Sequence, residues 1–106
     1  MNLVELKSRA YKAGEPPLGN SEAEEHRRQV PAWALGKNVL EREFRFKDFR
    51  QAMEFVNKVA AVADQEDHHP DMLISYNKVK LTLTTHRIDG LSLNDFIVAA
   101  KIDRLL

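Results

Sequence analysis

Val79, Leu81, Leu83 and Thr85 alternate with Lys80, Thr82, Thr84 and His86. Successive side chains of a strand point to opposite faces, so this run reads as one two-faced strand from Val79 to His86. Such a strand needs hydrogen-bonding neighbours and a cover for its apolar face. The flanks supply a neighbour: Met72 to Tyr76 is strand-like, and Asn77-Lys78 reads as the tight turn between the two. The same unit occurs upstream. Trp33-Ala34-Leu35 reads as a short strand, Gly36-Lys37-Asn38 as a turn, and Val39 to Phe46 as a longer strand. There Leu40, Arg42, Phe44 and Phe46 share one face, while Glu41, Glu43 and Arg45 share the other. Arg42 is the one break in the alternation.

Helical periods supply the cover. Phe49, Ala52, Met53, Val56, Val59, Ala60 and Ala63 recur at steps of three and four and form one face of a long helix capped at Asp48. Pro70 lacks an amide hydrogen and biases His69 toward extended backbone, so this helix ends before it. Ser92-Leu93-Asn94-Asp95 fits a capping box opening a last helix with Phe96, Ala99, Ala100 and Ile102, and Ser21 to Glu24 fits another opening a short helix that reaches about Gln29. Gly14, Pro16, Pro17, Gly19 and Asn20 mark residues 1–20 as an irregular segment. The expected fold is α+β: a four-stranded antiparallel sheet with three helices packed on one face, in the order α-β-β-α-β-β-α. With 106 residues there is room for one such domain, 1–106, and no second core.

Composition narrows the function. Sixteen Lys and Arg balance sixteen Asp and Glu, which removes the general basic field a nucleic-acid binder uses. Without cysteine there is no disulfide, thiol nucleophile or thiolate metal site, and a cytoplasmic protein is expected. No apolar run is long enough for a bilayer span. Residues 1–18 lack the apolar core of a signal peptide. Near-zero net charge gives no repulsion against self-association, so oligomers fit.

The chemistry gathers at DQEDHHP, Asp64 to Pro70, which holds two of the four histidines. Imidazole titrates near neutrality and exchanges protons readily. His86, at the end of its strand, lies where the 68–69 pair can approach it. Asp64 stands one turn before His68 and is expected to orient that imidazole. Equally, a His pair at a helix end serves as surface or as a partner of the helix dipole. Asp95 taken alone is a helix-capping residue, Glu66 and Asp67 are solvated charges, and His26 is exposed and inert. Metal binding ranks below proton transfer, because adjacent histidines diverge and the helical His pair of H-E-x-x-H enzymes is absent.

Taken in order, Asp64, His68-His69-Pro70, Tyr76, His86 and Asp95 resemble the signature of the pterin-4a-carbinolamine dehydratases. Pro31-Ala32-Trp33, Phe44 to Phe49, Tyr76 to Val79, Thr85-His86 and Gly90-Leu91-Ser92 are also similar to segments of that family. The resemblance implies a lyase acting on a 4a-hydroxytetrahydropterin, with no metal or other cofactor. His68 and His86 would be the acid–base pair, and His69 would hold the substrate. Asp64, Asp67, Pro70 and Met72 would also face it, Met72 standing where animal relatives carry Trp. Thr84 and Thr85 would offer backbone contacts to the pterin edge, and Tyr76 and Asp95 would support the site. The resemblance further implies a homodimer or homotetramer, no membrane or direct nucleic-acid contact, and a functional link to an aromatic amino acid hydroxylase. The alternative reading is a non-catalytic dimerisation or transcriptional cofactor module.

Overall fold

The computed structural model describes residues 2–106. Its regular elements are α1 (Asn20–Arg27), β1 (Ala34–Leu35), β2 (Leu40–Arg45), α2 (Phe49–Glu66), β3 (Asp71–Ser75), β4 (Lys78–Leu83) and α3 (Leu93–Asp103). The strands form one antiparallel sheet in the order β1-β2-β4-β3. This is the expected α+β arrangement. The two hairpins join through β2 and β4, with Phe44 opposite Val79 and Leu40 opposite Leu83.

That register puts Leu40, Phe44, Val79, Leu81 and Leu83 on one face, where all are buried. Glu41, Glu43 and Lys80 lie on the other face, and Lys80 reaches Glu41 at 3.5 Å. Arg42 also points inward. Its guanidinium lies 4.4 Å from the Phe44 ring centre and donates to Asp103 Oδ1 at 2.8 Å. The same oxygen accepts from the indole of the buried Trp33 at 2.8 Å. One carboxylate at the end of α3 therefore satisfies the two polar groups that this face carries inward.

The helix facing the sheet is turned from the expected stripe. Phe55, Ala52, Val59 and Ala63 are buried on α2, whereas Phe49 is half exposed. Phe55 stacks between Phe44 and Phe46, at 4.7 and 5.0 Å, and this contact sets the rotation. Asp48 caps α2 by accepting from the Gln51 amide, as its sequence position implies. At the other end Asp67 adopts left-handed backbone (φ 51°), which stops the helix three residues before Pro70.

Three other expectations are corrected. Ser21 does not cap α1, which begins at Asn20 after Gly19 with no side-chain cap bond. The Asn77-Lys78 turn falls at Tyr76-Asn77, with Tyr76 left-handed (φ 54°). His26 is not inert: its ring packs on Phe96 at 5.5 Å.

α3 is buried from Asn94 through Ala100 and again at Ile102. A helix buried all round shows no stripe. It lies against α2, α1 and a short 3-10 turn at Leu3–Glu5. Leu3 is wholly buried. The turn at Leu3–Glu5 is thus a packed part of the fold, although residues 6–19 form no regular element.

Candidate active site

Two chain reversals bring the chemistry together. At the end of α2 the left-handed turn at Asp67 turns the chain, and Pro70, itself buried, leads into β3. On the neighbouring strand, β4 ends at Leu83 rather than continuing to His86. Thr85 pairs with Gly90 in an isolated bridge, and His86 opens a 3-10 turn, His86–Ile88. His86 is therefore an exposed loop residue, not the last residue of a strand. Between these reversals lies an open cleft of about 590 Å³. His68, His69, His86, Asp67, Thr84, Thr85 and Arg87 line it, with Asn94 and residues 9–12.

His68 is the most enclosed of the three imidazoles, and its Nε2 lies 2.6 Å from Asp95 Oδ1. Asp95 is wholly buried. Its second oxygen, Oδ2, accepts from the Thr85 hydroxyl and from the Ser92 amide, both at 2.9 Å. Thr85 spends its one hydroxyl proton on Asp95, so the Ser92 hydroxyl must donate to Thr85 Oγ1, 2.7 Å away. Ser92 Oγ in turn accepts from the Asn94 amide. One hydroxyl and one backbone amide thus hold the carboxylate from the side away from His68. With Asp95 as an acceptor, His68 carries its proton on Nε2, and Nδ1 has no partner among the described residues. The capping box foreseen at Ser92 and Asp95 is present, and the same carboxylate that starts α3 orients His68.

That finding relocates Asp64. Its carboxylate meets His69 Nε2 at 3.0 Å, both side chains being exposed, and does not meet His68. The helix ends within the i, i+4 interval: His68 lies beyond the left-handed residue, so helical spacing does not carry Asp64 to it. Thr85 is corrected too. Its hydroxyl faces Asp95, and its backbone amide and carbonyl are taken by Gly90 and Ile88. Thr84 spends its hydroxyl on Asn38 O at 2.6 Å, while its backbone amide and carbonyl have no partner among the described residues.

Three predicted residues stand away from the cleft. Pro70 is buried beneath it. Met72 pairs with Leu81 on the inner face and packs against the core. Tyr76 sits at the far turn of the β3–β4 hairpin, about five residues or ~15 Å along the strands. Glu66, read as a solvated charge, is buried and bound to Lys101 at 2.7 Å. Burial works against its ionisation. The Lys101 ammonium and the Ser8 amide outweigh that and hold its carboxyl below the ordinary carboxylate value. Among the described residues no three His, Asp or Glu side chains are grouped to hold a metal ion.

An imidazole fixed by a buried carboxylate, a second imidazole across an open cleft and free backbone groups beside them make a site for proton transfer on a small polar ligand. Comparison with known proteins identifies the family. The family model described as Pterin 4 alpha carbinolamine dehydratase matches residues 16–105. A protein of Nitrosomonas eutropha carrying the name pterin-4-alpha-carbinolamine dehydratase is 49% identical over 106 residues, covering 99% of this chain and 94% of its own. One of the same name from Rubrobacter xylanophilus is 43% identical over 104 residues, covering 97% of each chain. The crystal structure of a transcriptional coactivator/pterin dehydratase from Brucella melitensis superposes with a TM-score of 0.78 at 35% identity, covering 84% of this chain and 97% of its own. The chain belongs to the pterin-4-alpha-carbinolamine dehydratase family.

Proposed function

We propose that this protein removes water from a 4a-hydroxytetrahydropterin by histidine acid–base catalysis, giving the quinonoid dihydropterin. The observation that carries the reading is the His68–Asp95 pair at 2.6 Å, opening on a cleft that His86 also lines. In the elimination the carbon–oxygen bond at the bridgehead breaks with its electron pair going to oxygen. A proton joins that oxygen to make water, and the ring nitrogen system gives up a proton as the new double bond forms. The buried Asp95 carboxylate holds His68 through Nε2, so Nδ1 is the atom left for the ligand and, when it carries a proton, the donor for a hydroxyl on its face. His86, exposed on the facing turn, serves a hydroxyl on the other face. His69 and the Thr84 backbone hold the ring.

The chain is also read as a homo-oligomer working in the cytoplasm beside an aromatic amino acid hydroxylase. The open edge of β3, with Leu73 exposed, supports self-association. Among the described residues no helix is long and apolar enough to cross a membrane.

The test is the decay of a 4a-hydroxytetrahydropterin with and without protein. Wild-type protein should exceed the spontaneous rate, and His68→Ala or His86→Ala should lose roughly 10²–10⁴-fold. A wild-type protein that leaves the spontaneous rate unchanged sinks the proposal.

A further inference from the structure

The N-terminal segment is attached to the site's own supports. The Ser8 amide donates to Glu66 Oε1 at 2.9 Å, and the Ser8 hydroxyl donates to the Glu66 carbonyl. Lys7 Nζ donates to the Gln65 carbonyl at 2.8 Å. One residue further, Asn94 clamps the backbone of Arg9 from both sides, accepting from its amide at 3.0 Å and donating to its carbonyl at 2.6 Å. Glu66 and Asn94 are buried polar side chains. A buried polar group needs partners, and the strap supplies backbone partners to both. Glu66 lies two residues before His68, and Asn94 is next to Asp95. The strap is therefore fastened to the two chain ends that carry the proton-transfer pair.

Beyond the clamp, residues 9–12 line the cleft. The Arg9 guanidinium lies 3.7 Å from the centre of the Tyr11 ring. Glu15 grips the same guanidinium at 3.0 and 3.4 Å, and the Lys12 amide fixes Glu15 at 2.7 Å. Mutual attraction raises the pKa of Arg9 and lowers that of Glu15. The result is a flat cationic and aromatic surface held before any ligand arrives. Tyr11 is the one phenol, and apart from the imidazoles the one aromatic ring, among the described lining residues. Met72, the position where animal relatives carry Trp, packs against the core instead.

We propose that this strap is the aromatic wall of the site, and that Tyr11 and Arg9 bind the planar ring of the ligand, with Asn94 as their positioning residue. A fused, carbonyl-bearing heterocycle suits such a surface, since it can stack on the ring and accept from the guanidinium. The proposal rests on the pterin reading above. It adds a recognition element from residues ahead of the family match, which begins at residue 16.

The experiment titrates 7,8-dihydropterin into the full-length protein by ligand fluorescence and measures turnover in parallel, for wild type, Tyr11→Leu, Tyr11→Phe and Asn94→Ala. Tyr11→Leu should weaken dihydropterin binding and raise KM roughly 2- to 12-fold, the range for an aromatic contact, with kcat within about twofold. Tyr11→Phe should restore binding to near wild type, because the ring rather than the hydroxyl makes the contact. Asn94→Ala should raise KM likewise and speed hydrogen exchange at the Ser8 and Arg9 amides. Equal affinity of wild type and Tyr11→Leu overturns the proposal, and so does a wild type that binds no dihydropterin. Failure of the dehydratase reading shows separately, as wild-type protein without effect on the spontaneous dehydration.

Discussion

Replacing Asp95 by Asn tests whether the His68 proton is placed by its buried partner. The wild-type carboxylate accepts three hydrogen bonds, from His68 on Oδ1 and from Thr85 and Ser92 on Oδ2. The amide has one oxygen and one NH2. If its oxygen stays with the Ser92 amide, its NH2 faces Nε2–H across a gap that is 2.6 Å in the wild type. His68 must then move its proton to Nδ1 and accept through Nε2. A second proton, at Nε2, would meet the amide N–H head on, so the doubly protonated ring is excluded and the acid for the leaving hydroxyl is lost. The opposite amide orientation orphans the buried Ser92 N–H, at a cost of about 1–3 kcal/mol. The first arrangement therefore prevails. Activity should fall roughly 10²–10⁴-fold, as expected when a catalytic imidazole loses its partner and holds the wrong tautomer. Three charge-assisted bonds become neutral ones, about 1 kcal/mol each, so stability falls by about 3 kcal/mol. For a domain of this size that lowers Tm by roughly 12–24 °C. Initial rates at 25 °C, on samples whose circular dichroism shows them folded, separate the two effects, and imidazole ¹⁵N shifts report the tautomer. If the variant keeps its activity within twofold while His68 has moved its proton to Nδ1, the reasoning is refuted.

Two further outcomes follow from the packing. The Glu66 carboxyl titrates lower in the folded protein than in the unfolded chain, so its contribution is complete above its ordinary value of 4.5 and disappears as pH falls through its folded value; hydrogen exchange at the Ser8 amide should accelerate in that acid range before the β4 amides do, and simultaneous release of both contradicts the anchoring role. Leu83→Ala removes a fully buried side chain where β4 meets β2 and should cost about 2–5 kcal/mol in urea unfolding, whereas a loss under 1 kcal/mol shows that the site above it is loosely packed.

The strands were legible because one face of the sheet is open: Glu41, Glu43 and Lys80 break the apolar run at every second residue. α3 offered only four of its buried positions to a search for a stripe, because a helix enclosed on all sides has no polar face to define one. For Glu66 and Lys101 sequence distance hid the pairing, since charges 35 residues apart give no local sign of an ion pair. Asp64 misled for the opposite reason. Its spacing from His68 is a helical one, but the backbone leaves the helix at Asp67, and an exposed left-handed Asp is not announced by the residues around it. The strap has no local signature: Gly14, Pro16 and Pro17 signal irregular backbone, and irregular backbone can be as firmly attached as a helix. Leu3, Val4 and Leu6 were the available sign of attachment. The histidines themselves were found through the order of a multi-part motif, which is independent of secondary-structure boundaries.

The hydrogen bond between His68 and Asp95 joins positions 27 residues apart, and Thr85 connects to the same carboxylate from a third segment. None of these contacts exists in an isolated helix or hairpin. Closing them requires β3 and β4 to be paired and α3 to have docked, so the oriented imidazole belongs to the late, long-range part of folding. In refolding, the His68 ring signal becomes a reporter of completed topology. Helical circular dichroism can recover while that signal is absent, and proton-transfer capacity returns with the signal rather than with the helices.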